Sequence, residues 1–279
     1  MSVIRSTPPQ GAAPDVSSDA SPAATSWQWS ARFFGVWLVL IVVWELVVRT
    51  GLRTGLFMPP PSSIVMSLGR MIGNGTLFGH LSATLGRIAL GLAVGGSAGL
   101  ALGLGMGTSR RLRHAMDPVI AALHPIPRLA FFPLLIVIFG IGEYSKVAAV
   151  SLGAFFPMLL NTLAGIRGLN PVHLELARCY GANRWQMFTR ILVPGSMPLI
   201  LTGVRLSANV AFHATVGVEM IGSRNGIGSM LWLSWQTFHI NQLYALLIVI
   251  ATIGIVLSLL IRALSARLMP WLVDRRIAG

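Results

Sequence analysis

Charge, lysine and cysteine are all scarce in this sequence. Charged residues are 10% of 279, against about 25% in an ordinary soluble domain. With 54% hydrophobic residues and a mean hydropathy of +0.73, that scarcity excludes a soluble globular chain and points to lipid as the main solvent. A single cysteine, Cys179, leaves no disulfide framework and no cysteine-based metal cluster. The one lysine, Lys146, follows Ser145 rather than a glycine, so the G-x-x-x-x-G-K-[ST] loop that cradles nucleotide phosphates is missing. No H-E-x-x-H pair is present either, and the histidines at 80, 114, 124, 173, 213 and 239 are scattered. No metal site, no catalytic residue and no cofactor are therefore expected in this chain, and any ATP chemistry has to come from another one.

What the chain has is arginine and long apolar runs. Lys and Arg number 21 against 8 Asp and Glu, a net charge of +13 that would suit a nucleic-acid partner on a polar fold. Here the basic residues sit in short gaps between apolar segments, which excludes nucleic acid and suggests the positive-inside rule. A bilayer core of about 30 Å needs about 20 helical residues. Six segments meet or approach that length: Phe33–Val48, Leu85–Met106, Val119–Ile141, Val147–Ile166, Leu199–Ile221 and Leu243–Ile261. The first is short and contains Glu45, whose carboxyl needs shielding by tilt or by protein. The fold class expected is all-α and polytopic, with about six transmembrane helices.

With both termini in the cytoplasm, the inner segments hold 13 arginines: Arg5, Arg32, Arg110, Arg111, Arg113, Arg167, Arg178, Arg184, Arg190, Arg262, Arg267, Arg275 and Arg276. The outer segments hold 5 basic residues, Arg49, Arg53, Arg70, Lys146 and Arg224, while Arg87, Arg128 and Arg205 fall within or beside spans. This asymmetry orients the chain with N and C termini inside. Residues 1–30, rich in Ser, Pro and Ala and without a signal-peptide core, read as a disordered cytoplasmic arm; 31–272 form the membrane domain and 273–279 a cytoplasmic tail. Trp27 and Trp29 are either interfacial anchors or incidental tryptophans of that arm.

Between the first two spans, Met58-Pro59-Pro60-Pro61-Ser62-Ser63 interrupts helix, and Ser62 or Ser63 is positioned to cap a short amphipathic helix at the outer surface. The second span carries Gly91, Gly95, Gly99, Gly103 and Gly107, one glycine every fourth residue and so one bare groove along a helix face. In lipid such a groove lets a second helix approach closely, which is a packing role.

The segment Arg167 to Pro198 is too polar to cross a membrane. It reads as two short helices around a glycine turn. Asn170 caps the first with Pro171 at its first position, and Gly181 ends it. Asn183 caps the second, Arg184–Leu192, which ends before Pro194.

Within that segment, Glu175-Leu176-Ala177, three residues, Gly181, nine residues and Ile191-Leu192-Val193-Pro194 resemble the EAA loop, E-A-A-x3-G-x9-I-x-L-P, of membrane subunits of bacterial ATP-binding cassette (ABC) importers. Leu176 and Val193 are mild departures. Further strings, Leu56-Phe57-Met58-Pro59-Pro60-Pro61-Ser62, His124-Pro125-Ile126-Pro127-Arg128-Leu129-Ala130, Phe139-Gly140-Ile141-Gly142-Glu143, Phe155-Phe156-Pro157 and Asn161-Thr162, are similar to permeases of the nitrate, sulfonate and taurine type. The resemblance covers Leu56 to Trp271. It implies a dimer of permease copies in the bacterial inner membrane, two ABC ATPase subunits that hold ATP and Mg beneath it, and a periplasmic binding protein that delivers solute. It implies that Glu175, Ala177, Gly181, Ala182, Trp185, Ile191 and Pro194 form a coupling loop lodged in a groove of the ATPase.

Ionisable groups inside spans are functional candidates. The fifth span holds Arg205, Asn209 and His213 four residues apart on one face, with Glu219 off that stripe. These residues either line a pathway or, with Arg205 snorkelling, bond between helices. Arg128, beside Pro125 and Pro127, either attracts an anion or faces headgroups. Pro157 and Asn161 mark a local kink whose freed carbonyl a neighbouring helix satisfies. The turn Gly222–Gly228, followed by Met230, Leu231, Trp232, Trp235 and Phe238, suits an outer interfacial helix, either a gate or a binding-protein contact. An ion-coupled secondary transporter is the rival class, but no inverted repeat is evident.

Overall fold

The computed structural model describes residues 25–50 and 57–269, with backbone alone over 25–34. The expectations for residues 1–24 and 270–279, and for the side chains of Trp27 and Trp29, lie outside the described residues. The chain divides into two units, Met1–Arg53 and Thr54–Gly279. The described part of the first is one helix, α1 (Thr25–Arg49), which begins inside the segment expected to be a disordered arm. Within α1, Glu45 pairs with Arg49 one turn on at 2.6 Å, which is how its carboxyl is met.

All regular structure among the described residues of the second unit is helical. Its core is three long helices, α3 (Thr76–Thr108), α6 (Glu143–Arg167) and α9 (Val193–Gly222), with α6 packed against both others. The glycine row of α3 faces α6: a methyl group at Gly99 would lie 2.5 Å from the Phe155 carbonyl oxygen, and one at Gly103 would lie 2.7 Å from Thr162 Cβ. Gly91, Gly95 and Gly107 are pressed in the same way against Val150, Ser151 and Ile166. Where burial of apolar surface does not drive helices together, this backbone proximity supplies dispersion contacts. Across the other face of α6, Ser207 Oγ donates to the Ala154 carbonyl at 2.8 Å.

Among the described residues, four helices are long and apolar enough to cross a membrane: α3, α6, the continuous stretch Arg184–Gly222 and α11 (Ile240–Leu268). A bent pair adds a fifth if it is one span, so helix length and composition do not establish the expected six. The bent pair corrects the expectation of a straight span over Val119–Ile141. Helix α4 (Arg110–Leu123) stops at His124, and a 3-10 turn (Arg128–Phe131) leading into α5 (Phe132–Phe139) departs at 92°. Pro125 and Pro127 lie in the break, and each lacks the backbone donor that a continuous helical ladder would need, while His124 before them still has helical dihedrals.

Two further local corrections concern prolines. Helix α2 (Pro61–Gly73) starts with Pro61 at its first position after Pro60, and Ser63 Oγ donates to the Pro60 carbonyl at 2.9 Å instead of capping. The second short helix of the loop does not end before Pro194. Helix α8 (Arg184–Met187) widens into a π turn (Phe188–Leu192) and continues as α9. The wider turn accommodates a residue that cannot donate to the helical ladder.

The string Gly95-Gly96-Ser97-Ala98-Gly99 has the G-x-S-x-G spacing of a hydrolase nucleophile elbow, which requires a strand, a sharp turn and a helix. Here it lies within α3, and Ser97 Oγ donates to Val94 O one turn back at 3.1 Å.

Candidate functional site

The loop between α6 and α9 is a capped corner. At the start of α7 (Pro171–Cys179), the Asn170 side chain accepts the Val172 N–H at 3.0 Å, and Pro171 occupies the position that needs no donor. At its end, Ala182 N–H bonds to Ala177 O at 3.0 Å and Gly181 N–H to Arg178 O at 2.9 Å, the paired bonds of a Schellman motif. That motif needs a left-handed residue, and Gly181 supplies it with φ of 76° and open space around its Cα. Asn183 and Gln186 then exchange bonds with each other's backbone at 2.8 and 3.0 Å, a capping box for α8. The corner is tied to the bundle where Leu169 covers Gly195 and Gly165 meets Ser196.

With its backbone satisfied internally, this knob has side chains free for a partner. No residue of α7 or α8 is buried; Tyr180 and Trp185 are 84% and 72% exposed, and Leu176 is exposed beside them. Trp185 stacks on Phe188. Glu175 is exposed, and no ion pair among the described residues uses it. Glu175, Ala177, Gly181, Ala182 and Trp185 are thus brought together, while Ile191 and Pro194 belong to the π turn and the root of α9.

The pathway candidates do not form one cluster. Arg205 and His213 are exposed and Asn209 is half-buried on one face of α9, with His213 Nδ1 2.7 Å from Asn209 O. Asn161 is half-buried on α6 over Gly203, and its Nδ2 donates to Pro157 O at 2.8 Å. That bond stays within α6; the carbonyl that Pro157 leaves without a donor is that of Gly153, one turn back. Arg128 lies two helical turns along α6 from Asn161, its Cδ 4.0 Å from where a methyl group on Gly153 would sit, next to Val210 and Ala214 of α9.

Glu219 lies elsewhere, fully buried at the end of the bundle opposite the knob. Arg87 of α3, 3% exposed, donates from Nη1 to Glu219 at 2.6 Å and grips Glu143, the first residue of α6, through Nε and Nη2 at 2.7 Å each. Lys146 Nζ adds 3.0 Å bonds to Glu143 and to Ser223 Oγ. Thr84 Oγ1 donates to Glu219 at 2.9 Å and accepts the Ile227 N–H at 2.9 Å, and Glu219 accepts the Gly228 N–H at 2.9 Å. His80 Nδ1 accepts the Gly226 N–H at 3.0 Å. Gly226 has φ of 119° and no room for a side chain against the Glu219 carboxylate, so the turn before α10 (Ile227–Gln236) is moulded onto the cluster. Two acids and two bases neutralise one another, and a bidentate Arg–carboxylate fork fixes the helix ends relative to each other. Sequence reasoning placed Arg87 only as a charge in a span. Its position inside an apolar run was the available signal, since such a charge needs a partner.

Beside the cluster, α2, α10 and the start of α11 enclose an open cleft of about 1190 Å³ bordered by Arg70, His80, Arg224, Trp232, Phe238 and His239.

Residues 91–273 match the family described as binding-protein-dependent transport system inner membrane component. A protein of Bacillus subtilis (strain 168) named as an aliphatic sulfonates transport permease is 35% identical over 84% of both chains. The taurine transport system permease of Escherichia coli (strain K12) is 35% identical over 88% of this chain and 93% of its own. A formylaminopyrimidine transport permease of Halalkalibacterium halodurans is 32% identical over 84% and 93%. Among solved structures, the MetNI methionine ABC transporter in an inward-facing conformation superposes with a TM-score of 0.58 at 17% identity, covering 70% of this chain and 94% of that one, which is agreement in fold. A capped knob between two glycine-packed helices, in a chain with these relatives, is the membrane subunit of an ABC transporter, and the protein belongs to the family of binding-protein-dependent transport inner membrane components.

Proposed function

We propose that this permease forms, with a second copy of itself, the inner-membrane pathway of an importer for small sulfonates such as taurine, or related anions such as nitrate. A periplasmic binding protein delivers the solute, and two ABC ATPase subunits hold the ATP and Mg that drive transport. The observation that carries this reading is the knob: a rigid, internally bonded corner with Leu176, Tyr180 and Trp185 exposed and Glu175 unpaired, in the EAA spacing. Such a shape suits helix-in-groove docking, with apolar anchors and one charge for register. The knob lies on the cytoplasmic side and both termini lie with it, in keeping with the arginine distribution. The cleft at the opposite end faces the periplasm and receives the binding protein. Asn161, Arg205, Asn209 and His213 border the pathway that the second copy completes. The sulfonate assignment follows the two relatives at 35% identity.

The test is co-purification and uptake. Gly181→Asp and Glu175→Lys are expected to reach the membrane in normal amount yet lose the ATPase subunit on purification and lose taurine uptake. Normal uptake in both variants overturns the coupling assignment.

A further inference from the structure

Arg87, in the ion cluster at the end opposite the knob, and Arg128, deeper in the bundle, are treated differently. Arg87 is neutralised by two carboxylates. Arg128 has none: its Nε is buried without a hydrogen-bond partner, and no ion pair among the described residues includes it. A guanidinium keeps its charge at any physiological pH, and a charge within a membrane is costly unless something pairs with it.

Its depth follows from its neighbours. Gly153 is ten residues from the start of α6 and Ala214 eight residues from the end of α9. At 1.5 Å per residue these positions are about 15 Å and about 12 Å below the far ends of those helices, close to the middle of an about 30 Å core. The backbone there is irregular, because Arg128 begins the 3-10 turn that follows the break at His124–Pro127. His124, Pro125, Ile126 and Pro127 are all exposed in this chain. Non-helical backbone at membrane depth is tolerated only where protein covers it or it borders water. An uncovered break and an unpaired cation therefore coincide at mid-depth, beside the α9 face that bears Asn209 and His213.

We propose that Arg128 binds the anionic head of the solute, a sulfonate or similar oxyanion, midway along the pathway. The planar donor fork matches two oxygens of such a group. The inference rests on the importer reading and adds to it a residue and a chemistry: the permease itself, and not the binding protein alone, recognises negative charge.

The test uses the assembled transporter, permease with ATPase and binding protein, in proteoliposomes, with taurine and ethanesulfonate as probes. Arg128→Gln is expected to co-purify with the ATPase but to take up either probe with an efficiency lower by about tenfold or more, with Arg128→Lys in between, as befits loss of a charged hydrogen bond. Uptake by Arg128→Gln equal to that of the unaltered chain overturns the proposal and leaves the importer reading intact. A second measurement requires no substitution. Phenylglyoxal modification of the unaltered complex, read at Arg128 by mass spectrometry, is expected to slow in ethanesulfonate and not in ethanol, with Arg224 as a reference. Equal rates at Arg128 in both overturn the proposal even if Arg128→Gln fails to assemble. If the unaltered complex hydrolyses ATP but moves neither sulfonate nor nitrate, the anionic-solute reading falls and the inference falls with it.

Discussion

At the scale of single residues, charge-assisted bonds join Arg87 of α3 to Glu219 of α9 and Glu143 of α6. Removing one member of a buried pair strands the other's charge, at a cost of about 3–5 kcal/mol. Arg87→Leu is therefore expected to lower the thermal unfolding temperature of the detergent-purified chain sharply. Glu143→Gln should lower it less, because the Glu143 side chain is 58% exposed and water screens it. Unchanged unfolding in Arg87→Leu would mean that the cluster contributes no stability. Residues 84, 87, 143, 219 and 226 come from three helices and a turn. Helical spacing relates side chains on one helix only, so no pattern in the sequence announced their meeting. Glu219 was legible as a costly charge in a span but not as the partner of Arg87.

At the scale of elements, legibility followed locality. The knob was readable because Asn170, Pro171, Gly181 and Asn183 each act within four residues, and their capping and turn chemistry needs no tertiary context. The glycine row was readable because its period is that of a helix, although the identity of its partner, α6, required the fold. The straight third span was not readable as a bent pair, because an apolar run reports burial in lipid and is silent on direction. Pro125 and Pro127 carried the missing signal. Pro194 misled in the opposite sense, since a π turn lets the helix pass through it. The glycine row yields a controlled comparison. Gly99→Leu drives a side chain into the Phe155 carbonyl and should reduce the yield of folded protein, whereas Gly86→Leu on the same helix meets nothing within 4 Å and should be tolerated. Equal yields of the two variants would show that α3 and α6 do not depend on close approach.

At the scale of the whole molecule, the knob and the ion cluster lie at opposite ends of the same helices, α6 and α9. Displacement of the knob by an ATPase would therefore be carried along rigid, closely packed rods to the end where Arg87 and Glu219 clamp the turn onto α10, with Arg128 between them. Alternating access is the expected consequence. Cys179, the last residue of α7, is exposed and is the one cysteine of the chain, so the knob carries its own probe. An impermeant maleimide should label it in inside-out membrane vesicles and not in right-side-out ones; the reverse pattern would invert the topology. The most direct measurement is cross-linking from Cys179 in native membranes with a photoactivatable maleimide. The account predicts an adduct between the permease and an ATP-binding cassette subunit, which disappears in Gly181→Asp. A chain that transports taurine yet yields no such adduct, with Cys179 fully labelled, would contradict it.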